Sequence, residues 1–403
     1  MWKISLSDLR LHPDDHTAVA EALASNWLTM GPRTQAFEQA FAEALDPRSP
    51  PHCFAVANCT VGLHMAFVAL GIGPGDEVIL PSLTFVATAN AALYTGATVV
   101  LADVTSAQDL TLAVDDVIRK FTPRTRAVVP VHYAGQPCDM IRLRTECDRR
   151  GIAIVEDVAH GPLADAWIDA DGGTAALGTI GALGCFSFFS NKNMATGEGG
   201  MVVTRDPALA DKLRLLRSHG MTTLTLERHR GHAHSYDVVD LGFNYRMDEL
   251  RAALGNSQLS RLPDANRRRA DVVAGYVQRL GSIPGLGIPF ADRQPQGRTA
   301  HHILPVLLPP GVPRAAVQEA MKAAGIQTSV HYPPIHTFTF HRGCDRVRAE
   351  DLRTTDALAD RLLTLPLYPA LSDADLDLVC RSLRAALQSA AAASMTASLQ
   401  EGA

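Results

Sequence analysis

Lys192 follows an aromatic-rich run, Phe186-Ser187-Phe188-Phe189-Ser190-Asn191, and precedes the tight sequence Gly197-Glu198-Gly199-Gly200. Apolar neighbours strip water from an ammonium, lower its pKa and leave a neutral amine that can attack a carbonyl. The same spacing also suits a surface lysine beside a hairpin turn. A second segment, Ile152 to Gly161, ends an apolar run in Glu156 and Asp157, with His160 three residues on. Acids at the C-terminal ends of parallel strands stand where open α/β sheets bind ligands, and one there can hold a pyridine-type ring nitrogen protonated. The alternative is that Glu156 or Asp157 caps the next helix.

Ala57-Asn58-Cys59-Thr60-Val61-Gly62 turns from a strand end into a helix through small and hydroxylated residues. Backbone N–H groups and the helix dipole at such a start suit a phosphate, with the Thr60 hydroxyl as a further donor, although plain N-capping gives the same pattern. Pro81 to Thr88 puts Phe85 at another strand end, able to stack on a planar ring or to fill a core. Together the four segments describe a phosphate cradle, a stacking aromatic, a carboxylate for a ring nitrogen and a lysine for an aldehyde. His219, His229, His232 and His234 have metal-like spacing but lack an accompanying acid-and-Cys set, so no metal is expected. Arg228 and Arg230 in that stretch are expected to meet a diphosphate, whose oxygens match guanidinium forks. His331-Tyr332-Pro333-Pro334, with His336 beyond, reads as a turn fixed by two prolines at a strand end.

The elements that must carry these residues are legible as short apolar runs between helical stretches: Phe54 to Ala57, Val78 to Leu80, Thr98 to Ala102, Ala127 to Val131, Ile152 to Val155, Cys185 to Phe188 and Met201 to Thr204. Such runs predict an α/β fold, with a mostly parallel sheet covered by helices on both faces. Helical patterns at Thr17 to Leu23 and Phe37 to Phe41 flank a Gly31-Pro32-Arg33 break and suggest an N-terminal arm. Met247 to Leu280 reads as a long Arg-rich helical connector punctuated at Leu262-Pro263. A strand at His302 to Leu307, a helix at Arg314 to Ala324, a strand at Gln327 to Tyr332 and a closing helix at Asp373 to Gln388 then predict a small α+β domain.

With 403 residues, 47% apolar and 20% charged, the chain is long enough for two domains and too apolar to be disordered. A formal charge of −5 offers no basic excess for a nucleic acid. Cys53, Cys59, Cys138, Cys147, Cys185, Cys344 and Cys380 lack both a disulfide-framework pattern and zinc spacing, and read as small core residues. No apolar run approaches the ~18 residues of a membrane span and the N-terminus has no leader pattern, so a cytoplasmic location is expected.

Several motifs together resemble the DegT/StrS family of pyridoxal-phosphate-dependent sugar aminotransferases. They are Gly31-Pro32, Gly71-Ile72-Gly73-Pro74-Gly75-Asp76-Glu77-Val78, Pro81 to Asn90, Val131-His132, Glu156-Asp157, Phe186-Ser187-Phe188, Lys192-Asn193, Gly197-Glu198-Gly199-Gly200, Asn244-Tyr245-Arg246-Met247 and Val330 to Pro334. The resemblance spans nearly the whole chain. It implies fold type I, with an arm at 1–45, a large cofactor domain at 46–260 and a small domain at 261–390, while the Ala/Ser-rich stretch at 391–403 reads from its composition as a flexible tail. It also implies a homodimer with shared active sites.

Residue by residue, the resemblance makes Lys192 the Schiff-base lysine and proton shuttle and pairs Asp157 with the pyridinium nitrogen. It sets His160 near the ring hydroxyl, stacks Phe85 on the ring and gives the phosphate to Thr60, Val61 and Ser187, with Asn244 reaching it from the neighbouring subunit. Arg228, Arg230, His331 and Tyr332 would face the substrate. The implied donor is L-glutamate or L-glutamine, and the implied acceptor is a keto-sugar linked to a nucleotide diphosphate. A keto-cyclitol or aminoaromatic-precursor acceptor and a non-catalytic cofactor-binding protein are the alternatives. The sequence departs from the family at Asn58-Cys59-Thr60-Val61-Gly62, where Ser-Gly-Thr-Ala-Ala is usual. It departs again at Phe189, where some relatives carry a His.

Overall fold

The computed structural model describes residues 2–223, 235–294 and 296–401. The seven anticipated strands all form: β1 (His52–Val56), β2 (Glu77–Pro81), β3 (Thr98–Ala102), β4 (Thr125–Val128), β5 (Ala153–Asp157), then, after a short hairpin of β6 (Asp165–Trp167) and β7 (Thr174–Ala176), β8 (Leu183–Ser187) and β9 (Gly200–Thr204). Further on come β10 (Leu304–Leu307), β11 (Val347–Arg348) and β12 (Leu362–Leu365).

The large sheet runs β1-β9-β8-β5-β4-β2-β3-β11. All its pairings are parallel except those of β9, which runs against both β1 and β8. Two reversals restore β1 to the direction of β8, so β1, β2, β4, β5 and β8 all end on one edge. That edge carries the site.

Successive strand residues point to opposite faces, and here both faces are buried. Val78, Leu80, Ala127, Val129, Val155, Cys185 and Val202 join one apolar core with the helices Cys59–Ala69, Val86–Tyr94 and Pro207–Leu216. Ile79, Val128, Ile154, Phe186, Met201 and Val203 join the other, with the helices Pro32–Leu45, Val114–Arg119, Met140–Asp148 and Glu249–Leu259. The helix Pro32–Leu45 is tied to its neighbour Glu249–Leu259 by one carboxylate. Glu249 accepts from the N–H groups of Gly31, Arg33 and Thr34 and from the Thr34 hydroxyl at 2.7–2.9 Å, satisfying the free donors of the helix Pro32–Leu45. Gly31 is needed there because a Cβ would lie 2.3 Å from the Trp27 indole.

The expected connector is two helices, Glu249–Leu259 and Leu262–Leu280, broken before Leu262-Pro263. The second helix, with Arg314–Ala323 and the closing helix Asp373–Glu401, covers the β10/β12 pair in a third core that includes Ile4, Val272, Tyr276, Val306, Leu363 and Leu383. The strand expected at Gln327 to Tyr332 is not formed. Ser329 and Thr364 exchange backbone hydrogen bonds at 3.2 and 2.8 Å, after which the chain leaves β12. It is drawn away because the Tyr332 hydroxyl meets His160 and the Tyr133 hydroxyl donates to the His331 carbonyl. β12, unanticipated, takes the place beside β10 in register Leu304↔Leu365. Among the described residues, no helix is long and apolar enough to cross a membrane.

Candidate functional site

At the shared strand edge lies a cavity of about 630 Å3, whose walls include Asn58, Cys59, Thr60, Val61, Phe85, Thr88, Val131, Asp157, His160, Ser187, Lys192, His331 and Tyr332. Each strand delivers its part through the residues just past its end. β1 leads into the helix Cys59–Ala69, capped by the Asn58 side chain, which accepts the Val61 N–H at 3.0 Å. Capping and cradle are therefore compatible: the cap fixes the first turn, and that turn, with its partial positive charge, lines the cavity. Gly200 lets β9 close against it, since a Cβ there would stand 2.8 Å from Asn58 C and Cys59 N.

The open choice between Glu156 and Asp157 is decided by strand alternation. Glu156, fully buried, turns away from the cavity and accepts from the N–H groups of Gly178, Ile180 and Gly181 at 2.7–2.8 Å and from His132 Nε2 at 3.1 Å. The Cys138 N–H donates to His132 Nδ1, which leaves the His132 proton on Nε2 for Glu156. Asp157 faces the cavity and accepts the Thr88 hydroxyl at 2.8 Å and the Ala159 N–H at 3.1 Å. Neither acid caps a helix. Burial holds the Asp157 carboxyl above its usual range, opposed by these two donors and by the Lys192 charge.

Lys192 lies in the turn between β8 and β9, its amine enclosed by the fold. Burial brings its pKa down to about 8, against the opposing pull of Asp157 and Cys59. The imidazoles beside it are held neutral. Burial pushes His160 well below its ordinary value, with the Lys192 charge adding to the shift, and does the same to His331, which falls to about 4. His160 Nδ1 accepts the Ala134 N–H at 3.2 Å, so its proton lies on Nε2, 2.8 Å from the Tyr332 oxygen. An amine that is neutral above a pH of about 8, a buried carboxylate and a helix N-terminus opening on one cavity can capture a carbonyl, stabilise a nearby cation and seat a phosphate.

Of the residues expected from sequence, Thr60, Val61, Phe85, Asp157, His160, Ser187, Lys192, His331 and Tyr332 are brought to this one cavity. Asn244 is not: it is exposed, and its backbone pairs with Ser218. Arg228 and Arg230, with His229, His232 and His234, lie outside the described residues. Sequence reasoning missed Thr88, whose hydroxyl orients Asp157, and His302, whose Nε2 is 3.5 Å from Lys192 Nζ. His302 was legible only as part of a strand candidate. Nothing local marks a histidine 110 positions from the lysine it meets.

The profile of the DegT/DnrJ/EryC1/StrS aminotransferase family matches residues 10–384. The chain is 39% identical, over 91% of its length and 92% of the other's, to the spore coat polysaccharide biosynthesis protein SpsC of Bacillus subtilis. Among solved structures it resembles the aminotransferase TlmJ of Streptoalloteichus hindustanus, with a TM-score of 0.85 at 35% identity, covering 96% of this chain and 99% of that one. It also resembles the PLP-form of the putative sugar aminotransferase Spr1654 of Streptococcus pneumoniae, with a TM-score of 0.85 at 25% identity over 96% and 98% of the two chains. A family match over nearly the whole length, on a fold whose strand edge gathers a half-buried lysine and a buried carboxylate, makes this chain a member of the DegT/DnrJ/EryC1/StrS aminotransferase family and a pyridoxal-phosphate-dependent aminotransferase of fold type I.

Proposed function

We propose that the enzyme moves an amino group from L-glutamate or L-glutamine to a keto-sugar carried on a nucleotide diphosphate, for use in amino-sugar or polysaccharide biosynthesis. The observation that carries the reading is the pairing, in one cavity, of an amine whose pKa has fallen to about 8 with a buried carboxylate. Asp157 fits the cofactor because its hydrogen-bond partners are neutral, Thr88 and Ala159, which suits a cationic ring nitrogen. Pyridoxal phosphate, when bound, supplies the electron sink that makes an amino-acid Cα–H bond breakable.

The chain's own residues would do the rest. Lys192 Nζ would take and return the Cα proton, and Asp157 would keep the ring nitrogen protonated. Thr60, Val61 and Ser187 would hold the phosphate, Phe85 would cover the ring, and His160, with its Nε2 proton fixed toward Tyr332, would face the ring hydroxyl. Asn244 would serve a second copy of the chain, in keeping with its exposed place outside the lining of its own cavity. Phe85, Tyr94 and Phe189 are 55%, 63% and 44% exposed around the cavity, which favours a covering partner. Arg228 and Arg230 would meet the acceptor diphosphate and His331 its sugar.

The visible spectrum of the purified holoenzyme tests the first half-reaction. A lysine-bound cofactor band that bleaches on adding L-glutamate or L-glutamine supports the reading, and a band indifferent to both overturns the donor assignment. Calorimetry with a nucleoside diphosphate tests the acceptor: no binding would favour a keto-cyclitol.

A further inference from the structure

A directional chain of hydrogen bonds runs into the back of Lys192. It starts at the Pro162 carbonyl, which can only accept, and which takes Asn266 Nδ2 at 3.0 Å. The Asn266 oxygen must then be the atom that accepts Asn193 Nδ2 at 2.8 Å, and the same Asn193 nitrogen donates to the Ala300 carbonyl at 2.7 Å. Both Asn orientations are therefore fixed by carbonyls. Asn193 Oδ1 is left as the acceptor toward His302 Nδ1 at 2.9 Å, so His302 carries its proton on Nδ1. His302 is 4% exposed, its ring lies 4.3 Å from that of His160 with the two planes tilted by 47°, and its backbone N–H donates to the Ala134 carbonyl. Its remaining nitrogen, Nε2, faces Lys192 Nζ at 3.5 Å.

We propose that His302 is a positioning residue for Lys192: its Nε2 lone pair accepts an N–H of the free amine and so turns the amine's own lone pair toward the cavity. The proposal deepens the reading of Lys192 given above and rests on it. A separation of 3.5 Å is long for a hydrogen bond, as catalytic contacts often are before substrate tightens them. The charged and titratable groups around the pair act in two directions. Asp157 and Cys59 favour the ammonium on Lys192, while Lys192 itself, His160, Arg269 and His331 oppose a charge on His302. A doubly protonated His302 would set an N–H against the lysine, so the neutral Nδ1–H form is the one that can accept.

The first measurement needs no variant. In the apoprotein labelled with 15N-histidine, His302 is expected as the Nδ1–H tautomer across neutral pH, and His160 as Nε2–H. Finding His302 as Nε2–H, or doubly protonated, overturns the proposal. The second measurement is the titration of Lys192 in the apoprotein, followed by reductive 13C-methylation, in His302→Asn and His302→Gln. Asn keeps a donor for Asn193 Oδ1 but offers Lys192 nothing. Its Lys192 midpoint is expected to fall by about one unit, because an acceptor that favours the ammonium is gone. Read at about pH 10, where the amine is free in both proteins, capture of pyridoxal phosphate should slow on the order of tenfold, the scale of one net hydrogen bond. Gln brings an amide oxygen out to the ε position and should restore both. Unchanged midpoint and capture rate in His302→Asn would leave His302 a packing residue. Failure of the native holoenzyme to transaminate, with the tautomer and titration as expected, would instead sink the functional reading and spare the hydrogen-bond chain.

Discussion

At the scale of single residues, the site works by setting protonation states through burial. Lys192 is the sharpest case. Below a pH of about 8 its amine is protonated and cannot attack, so capture of pyridoxal phosphate by the apoprotein should rise with pH and level off above that value. Stopped-flow absorbance across pH 6 to 10 reads this directly, and a flat profile would contradict it. Because the unfolded lysine titrates near 10.5, the unfolded chain holds more protons between about 8 and 10.5, and this group makes the fold more stable as pH rises through that window. Lys192→Ala should lower kcat by several orders of magnitude, since the proton carrier and the carbonyl-binding amine are lost together. Asp157→Asn keeps an acceptor for the Thr88 hydroxyl but removes the charge, and should cost kcat about a hundredfold or more in steady-state assays.

At the scale of elements, the site depends on close approach and on which face a strand residue presents. Gly200 sits where a Cβ would meet the backbone of Asn58 and Cys59 at 2.8 Å, so Gly200→Ala must push the helix start away from β9. Displacement of the cradle on that scale should weaken pyridoxal phosphate binding about tenfold to a hundredfold by equilibrium titration. Glu156 belongs to the same strand as Asp157 and does different work. Its Oε1 takes the N–H groups of Ile180 and Gly181, and its Oε2 takes Gly178 and His132. Glu156→Gln turns one oxygen into an NH2 facing donors, and Glu156→Ala orphans all four. The alanine variant should lose at least about 3 kcal/mol of stability in denaturant titration, with the glutamine variant between it and the native protein.

At the scale of the whole molecule, the cavity gathers groups from distant stretches of chain, and acid should undo it. His160, His301, His302 and His331 are all held neutral by burial, with His301 and His331 near 4, so the unfolded chain binds more protons below about 6.5. Stability should therefore fall between pH 6.5 and 4, Asp157 offsetting part of the loss because its shift runs the other way. Thermal melts of the apoprotein across that range give the answer, and a rising melting temperature would refute it.

What the sequence determined by itself was the set of local facts: seven apolar runs as strands, the glycine and capping positions at their ends, and the candidate cavity residues from Thr60 to Lys192, because periodicity and turn chemistry are short-range. It also carried the family, since motifs spread over most of the chain resemble it. Only the tertiary structure decided that Asp157 and not Glu156 faces the cavity, that the chain from Gln327 peels off β12 to bring Tyr332 to His160, and that His302 meets Lys192. Those depend on strand register and on contacts between residues more than a hundred positions apart, which no local pattern encodes.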